Sequence, residues 1–202
     1  MTGVQEPTFA VLKTVGAYEI RYYSPYFIAE VPMSSYADNG ESFQVLARYI
    51  GVFGTAANEK RISMAMTAPV ITQPVKIKMT SPVISSPAES MSFVLPFEFQ
   101  DINEIPKPTD KRITIKHIPR RILASYRYAG SFDPIVANNH ITDMIECLKK
   151  EKLVKDNVDK DNSKWEVAQY HPPFTLPFLR RNEVWLMLDP NNDLIKELTK
   201  SK

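Results

Sequence analysis

The side chains that could ligate a metal or transfer protons at neutral pH are three histidines and one cysteine: His117, His140, His171 and Cys147. No two histidines stand four residues apart, and a single cysteine can form neither an internal disulfide nor a cysteine-based metal site. The chain has no glycine-rich phosphate loop, no paired-carboxylate motif and no Ser/His/Asp order that indicates a nucleophile. These residue types predict a binding protein without a protein-built metal site, and not an enzyme.

A six-residue pattern, Met-Thr-x-Pro-Val-Ile, occurs twice, beginning at Met66 and at Met79. Its β-branched residues and its proline favour extended backbone, and Thr72-Gln73-Pro74 between the copies is typical of a turn. Neither copy carries a group for acid–base or nucleophilic chemistry. The pattern therefore predicts two strands that act as a scaffold or as the wall of an apolar pocket.

Composition and charge limit the function classes. The chain has 202 residues, 44% of them hydrophobic and 24% charged, which is enough apolar material for a sizeable core. The net charge is +2, and lysines and arginines are spread along the chain, so nucleic acid is not a predicted partner. No apolar run approaches the roughly 20 residues that span a bilayer. With one cysteine and no leader-like N-terminus, we expect a cytoplasmic protein, or an organellar one if a presequence was removed.

Two amphipathic helices and a series of short strands are predicted. The first helix starts near Asp38 and ends at Gly51, and the second starts at Asp133–Pro134, a capping residue followed by proline. The apolar stripes of the helices are, in chain order, Phe43, Leu46, Ala47 and Ile50, then Ile141, Met144, Ile145 and Leu148. The predicted strands are Phe9–Leu12, Tyr18–Tyr23, Tyr26–Met33, the two copies of the pattern, Met91–Leu95, Arg112–Ile118, Arg121–Tyr128, Trp165–Tyr170 and Glu183–Leu188.

The order strand, strand, helix, strands occurs twice, before and after the proline-stiffened connector Glu104–Asp110. Each half, about 8–100 and 111–190, is predicted to form an antiparallel sheet with one helix on a face. Two such halves can bury their apolar faces together. The predicted fold is therefore α+β, a distorted antiparallel β-barrel with two flanking helices and two pseudo-symmetric β-β-α-β-β halves, in a single domain over residues 1–202.

Six segments in a fixed order carry a resemblance to a known family. They are Tyr18–Tyr23, Leu46–Gly51, Asn58–Val70, Pro106–Asp110, Gln169–Phe174 and Arg180–Leu186. In these segments, and over about Phe9 to Leu188, the chain resembles the SOUL haem-binding protein family. The doubled Met-Thr-x-Pro-Val pattern is similar to that of plant-type members.

The resemblance implies a fold of two pseudo-symmetric halves and reversible binding of haem or a free porphyrin such as protoporphyrin IX. In the family the ring is thought to lie against the first helix, where an apolar surface takes the macrocycle and basic side chains take the propionates. In this chain the implied apolar groove beside the first helix consists of Phe43, Leu46, Ala47 and Ile50, with Arg48 as the basic group. The same stripe is also what any helix needs to pack on a sheet, so a core role remains the alternative.

The resemblance leaves axial ligation open. Some members have a histidine, proposed as an axial ligand, in the Arg-x-Tyr strand, where this chain has Tyr22. A neutral tyrosine is a weak ligand for haem iron. We expect binding without strong axial ligation, or ligation by His117, His140 or His171.

The predicted function is that of a non-enzymatic tetrapyrrole carrier or buffer. Two alternatives stay open on the same fold. The doubled β-β-α-β-β plan looks like the ligand domains of some bacterial transcription regulators, which suggests a small-molecule effector-sensing module. The proline-rich loop His171–Pro177 suggests instead an interaction protein that docks partners.

Overall fold

A computed structural model describes residues 4–33, 39–73, 89–171 and 175–200 of the chain. Its contacts divide the protein into two compact units. The first unit comprises Pro25–Pro119 with the N-terminal residues up to Pro7, and the second comprises Thr8–Ser24 with Arg120–Lys202. Within the described ranges no helix is long and apolar enough to cross a membrane.

The first unit is an antiparallel sheet with one helix on a face. In chain order its described elements are β3 (Tyr26–Met33), α1 (Asn39–Ile50), β4 (Val70–Gln73), β5 (Glu89–Val94) and β6 (Thr114–Ile118). The strand order is β4-β5-β3-β6, so β3 lies at the centre with β5 and β6 on either side.

Helix α1 packs on the apolar face of this sheet. Alternation along β3 turns Ala29, Val31 and Met33 toward the helix, where they join a core with Leu46 and Tyr49. The helix ends at Gly51, whose φ of +87° suits glycine, while the Val52 N–H donates to the Ala47 carbonyl at 2.9 Å. This glycine-terminated end is the one predicted from the sequence.

The second unit is also an antiparallel sheet with helices. Its elements are β1 (Phe9–Val15), β2 (Tyr18–Tyr23), β7 (Arg121–Tyr128), α2 (Pro134–Lys150), β8 (Trp165–Gln169), a 3-10 turn (Pro177–Leu179), β9 (Asn182–Met187) and α3 (Asp193–Thr199). The strand order is β1-β2-β7-β9-β8. The Asp133 carboxylate accepts a hydrogen bond from the Ile135 N–H at 2.7 Å, and Pro134 occupies the first turn of α2.

The core of the second unit lies between α2 and one face of the sheet. The helix contributes Ala137, Ile141, Met144, Ile145 and Leu148, which are all buried. The sheet contributes Ile20, Ala124, Val167, Val184 and Leu186 from four strands. Because side chains alternate along a strand, the other face carries Arg21, Ser125, Glu183 and Trp185.

The predicted α+β class is confirmed, with antiparallel strands and both predicted helices in place. The first copy of the Met-Thr-x-Pro-Val-Ile pattern forms a strand only from Val70 onward, and the second copy lies outside the described residues. Helix α3, capped by Asn192, was not predicted. Strand pairing also crosses the two sequence halves, because β2 pairs with β7 and β3 pairs with β6.

Candidate functional site

The five residues of helix α1 predicted to contact a tetrapyrrole differ in how far they are buried. Leu46 and Ala47 have no exposed surface, Ile50 is 3% exposed, and all three belong to the core of the first unit. Phe43 is partly buried, and its ring meets Phe93 edge-on at 5.2 Å between centroids. Three members of the predicted groove are therefore packed against the sheet in this structure.

Arg48 lies on a different side of α1 from Phe43. The two residues are five positions apart, which places them about 140° apart around the helix axis. Arg48 is exposed and has no salt bridge or side-chain hydrogen bond within the described part of the chain. The apolar surface that could accompany this guanidinium must come from a segment other than the predicted stripe.

The loop that follows α1 carries exposed apolar side chains. Val52, Phe53 and Ile62 are 46%, 62% and 54% exposed. Arg61, also exposed, adds a second cation next to Ile62. We call Arg48, Val52, Phe53, Arg61 and Ile62 the α1-end surface.

Asn58 holds this loop against the end of α1. Its side-chain amide donates to the Tyr49 carbonyl at 3.1 Å and to the Ile62 carbonyl at 2.9 Å, and its oxygen accepts from the Ile62 N–H at 3.1 Å. The backbone adds two links, from the Ala57 N–H to the Arg48 carbonyl and from the Met64 N–H to the Ile50 carbonyl, each 2.9 Å. Asn58 is 1% exposed, so these hydrogen bonds are protected from water.

The α1-end surface combines cations with exposed apolar area. A flat ring that carries carboxylates on its edge needs both, because a guanidinium binds a carboxylate and apolar side chains cover the ring. Val52, Phe53 and Ile62 were not predicted as site residues, since they belong to no helical or strand period. The sequence feature that could have indicated these three residues is the occurrence of apolar residues in a loop directly after a glycine that ends a helix.

The four axial-ligand candidates are dispersed. His117 lies on β6 in the first unit, opposite Phe27 of β3, with 5.2 Å between the ring centroids. Tyr22, His140 and His171 lie in the second unit. His140 is packed between the rings of Tyr126 and Tyr128 at 4.8 Å from each, and His171 Nδ1 accepts a hydrogen bond from the Arg181 N–H.

The described residues contain no cluster of three or more histidine, cysteine or acidic side chains that could hold a metal ion. Cys147 is a free, partly buried cysteine on α2. Within these ranges His117, His140 and His171 therefore belong to no such cluster.

A buried carboxylate, Glu183, is the centre of a polar cluster in the second unit. It is fully buried. Five side chains donate hydrogen bonds to it: Arg21, Ser125, Tyr170, Arg181 and Trp185. The shortest, from Arg21, Arg181 and Trp185, are each 2.8 Å long.

The ionisation of Glu183 follows from these donors. Burial by itself raises the pKa of Glu183, but the charge and hydrogen bonds of Arg21, the Trp185 N–H and the charge of Arg181 outweigh it, so the pKa is lowered. The pKa of Tyr170 is raised by burial and by the neighbouring Glu183 charge. An ionised carboxylate with this many donors has no lone pair left for a substrate, so the cluster is structural.

The comparisons with known proteins identify the family. The sequence model of the SOUL heme-binding protein family matches residues 4–187, nearly the whole chain. The chain belongs to the SOUL haem-binding protein family. No curated protein sequence matches it significantly.

Solved structures share the fold of this SOUL-family chain at low sequence identity. The C-terminal domain of EcmrR is 12% identical, with a TM-score of 0.53 over 85% of this chain and 96% of that chain. EcmrR in a DNA complex is 10% identical, with a TM-score of 0.56 over 86% of this chain and 58% of that chain. A protein from Listeria innocua described as a hydrolase is 11% identical, with a TM-score of 0.53 over 85% and 91% of the two chains. These likenesses show a shared fold alone.

Proposed function

We propose that this chain binds haem or free protoporphyrin IX reversibly, as a non-enzymatic tetrapyrrole carrier or buffer. The observation that carries the proposal is membership of the SOUL haem-binding protein family across residues 4–187. The proposed location at the end of α1 is supported by the exposure of Arg48 and of the apolar side chains in the loop that follows the helix. The tetrapyrrole is cargo here and not a resident cofactor.

On this proposal the ring lies on the α1-end surface. Arg48 and Arg61 bind the propionates, and Val52, Phe53 and Ile62 cover one face of the macrocycle. The buried residues Leu46, Ala47 and Ile50 keep the helix on the sheet, and Phe43 anchors it to β5. Binding through one face and one edge of the ring favours reversible release.

Iron ligation is not needed for this mode of binding, so haem and metal-free protoporphyrin should bind with similar affinity. Among the axial candidates, His117 shares the first unit and the α1 side of its sheet, because it stands opposite Phe27, whose side chain packs with α1. It is therefore the first histidine to replace if haem binds much more tightly than the free porphyrin.

Titration of the purified protein with haem and with protoporphyrin IX, followed by the Soret band and by tryptophan fluorescence, tests the proposal. Saturable one-to-one binding of both ligands is expected. Arg48→Glu should weaken both by roughly tenfold, which is the loss of about one charge-assisted hydrogen bond. Phe53→Ser should also weaken both, through loss of apolar contact.

Arg120→Glu is the matched control. Arg120 is exposed and lies outside the α1-end surface, so the same charge change there should leave both affinities unchanged. Equal affinities for Arg48→Glu and the wild-type protein would remove Arg48 from the site. No saturable binding of either ring would overturn the carrier function.

A second candidate function is protein interaction through the segment before β9. Leu176, Phe178 and Leu179 are 57%, 71% and 57% exposed, and apolar clusters of this kind often mark contact surfaces. A pull-down with the wild-type protein should then recover a partner that Phe178→Ser does not recover and Arg48→Glu does. Equal recovery by both variants would count against this segment as the docking surface.

A further inference from the structure

A cavity of about 550 Å³ lies in the second unit. It is lined by the loop between α2 and β8, by the end of β9 with the residues that follow it, and by Asn192 at the N-cap of α3. This volume falls within the usual range for small-molecule pockets. Its walls combine an apolar floor with a polar rim.

The floor is made of aliphatic side chains. Leu153, Leu186 and Leu188 are 2%, 1% and 6% exposed, so they present only a small part of their surface to the cavity. Val154 and the partly buried Val158 add to this lining. A hydrocarbon chain bound there would exchange water for apolar contact.

The rim carries more positive than negative charge. Lys155 and Lys164 are exposed, and neither forms a salt bridge or a side-chain hydrogen bond with any described residue. Asp189 is the one acidic side chain in the lining, and its carboxylate accepts a hydrogen bond from the Asn191 N–H at 2.9 Å. The two lysines therefore remain available to an anion.

The other polar groups shape the rim. Asn162 holds the loop through its bonds to the Asp159 N–H and the Asn157 carbonyl. Asn192 caps α3 and donates to the Lys152 carbonyl at 3.1 Å. The rim is thus preorganised by internal hydrogen bonds, and its free donors are left to a ligand.

Ser163 is a further donor in the wall. It is 7% exposed, and its hydroxyl oxygen is buried without a hydrogen-bond partner in the described structure. An unpaired buried hydroxyl is costly, and rotation about its Cα–Cβ bond can turn it toward a neighbouring group. A ligand oxygen in the cavity would provide that partner.

We propose that this cavity binds a small amphiphilic anion, namely an aliphatic carboxylate of medium chain length. The hydrocarbon chain lies on Leu153, Val154 and Leu188, and the carboxylate lies at the rim between Lys155 and Lys164. The site is independent of the α1-end surface and does not rest on tetrapyrrole binding. It makes the second unit a small-molecule site in its own right.

Calorimetric titration of the full chain with decanoate, and in parallel with decylamine, tests this proposal. Decanoate should bind saturably with one site per chain, while decylamine, protonated at neutral pH, should bind at least about tenfold more weakly. The double variant Lys155→Glu/Lys164→Glu should reverse this preference. Val158→Trp should abolish decanoate binding, because the larger indole occupies part of the cavity that Val158 lines.

Two control variants separate the site from general effects. Lys150→Glu makes the same charge change on an exposed residue outside the cavity and should leave decanoate binding unchanged. Arg48→Glu should also leave it unchanged, while it weakens porphyrin binding. Absence of decanoate binding at about 1 mM, equal binding of the two amphiphiles, or equal binding by the double lysine variant would each overturn the proposal. The lysine variants change only exposed side chains, so they test it even if Val158→Trp does not fold.

Discussion

Arg21 and Glu183 are 162 positions apart in the sequence, yet Arg21 Nη1 donates to Glu183 Oε2 at 2.8 Å in the interior of the second unit. Arg21 lies on β2 and Glu183 on β9, with β7 between them. Ser125 of β7 completes the bridge by donating to the same carboxylate oxygen at 3.1 Å. This cluster ties the N-terminal hairpin to the C-terminal strands.

Replacement of Glu183 by glutamine should destabilise the protein strongly. The variant leaves the Arg21 charge in a site where Arg21 is only 5% exposed, and it places amide hydrogens against hydrogen-bond donors. A broken buried pair costs about 3 kcal/mol or more in the free energy of unfolding. Urea unfolding at neutral pH measures this loss.

Glu19→Gln is the matched control, because Glu19 pairs with the same Arg21 but its side chain is 41% exposed. It should cost no more than about 1 kcal/mol. Similar losses for the two variants would show that the buried cluster is not a special source of stability.

Glu183 should also affect how the free energy of unfolding changes at acidic pH. The pKa of Glu183 in the folded protein lies below its ordinary value of 4.5, through Arg21, Trp185 and Arg181 acting against burial. A lowered folded pKa gives a contribution that is present above the unfolded pKa and is lost as the pH falls toward the folded pKa.

The difference in unfolding free energy between the wild-type protein and Glu183→Gln should therefore be full at neutral pH and shrink below about pH 4.5. The pKa of Asp110 is lowered too, by hydrogen bonds from Arg112, but this effect is present in both proteins and cancels in the difference. A difference that stays constant down to about pH 3 would contradict the lowered pKa of Glu183 in the folded protein.

The end of α1 should not tolerate a side chain at Gly51. A Cβ there would lie 2.6 Å from Ser63 Oγ and 3.1 Å from Ala56 Cβ, and the backbone φ is +87°. Gly51→Ala should cost about 2 kcal/mol in the free energy of unfolding, from strain and overpacking together.

Gly16→Ala separates the two causes, because Gly16 has a φ of +59° and nothing within 4 Å of an added Cβ. That variant should lose about 1 kcal/mol from backbone strain alone. Equal losses at the two glycines would mean that the loop after α1 moves aside at little cost.

Replacement of Leu46 should lower the stability of the protein and leave its affinity for haem unchanged. Its side chain has no exposed surface and lies in the core of the first unit, so Leu46→Ala should cost about 3 kcal/mol in the free energy of unfolding. At a temperature where the variant remains folded, its affinity for haem should match that of the wild-type protein. A selective loss of haem affinity with little loss of stability would place the ring against Leu46.

The helices and strands could be predicted from the sequence where a pattern of a few consecutive residues defines them. The strands Tyr18–Tyr23, Tyr26–Met33 and Arg121–Tyr128 have the predicted limits. As predicted, Asp133 caps the start of α2, and Gly51 follows the last residue of α1. Alternation, caps and helix-ending glycines are properties of a few consecutive residues, so the sequence states them directly. Helix α3 was missed because seven residues give too short a stripe.

The candidate site could be predicted only in part. Family resemblance pointed to α1, and the role of Arg48 in binding stays a prediction. The spacing of the apolar residues on α1 could not show whether they pack in the core or contact a ligand. Both roles need the same apolar spacing along a helix. Burial of Leu46, Ala47 and Ile50 is decided by the sheet beneath them.

The sequence by itself determined the α+β class, both main helices, most strands and the family. Only the tertiary structure decided which strands pair, which faces are covered and which charges meet. Strand partners are chosen by long-range packing and hydrogen bonding, so no local pattern could show that β2 lies beside β7 or that Arg21 reaches Glu183. The cavity of the second unit likewise arises from segments far apart in the sequence, 153–164 and 186–192, that folding brings together.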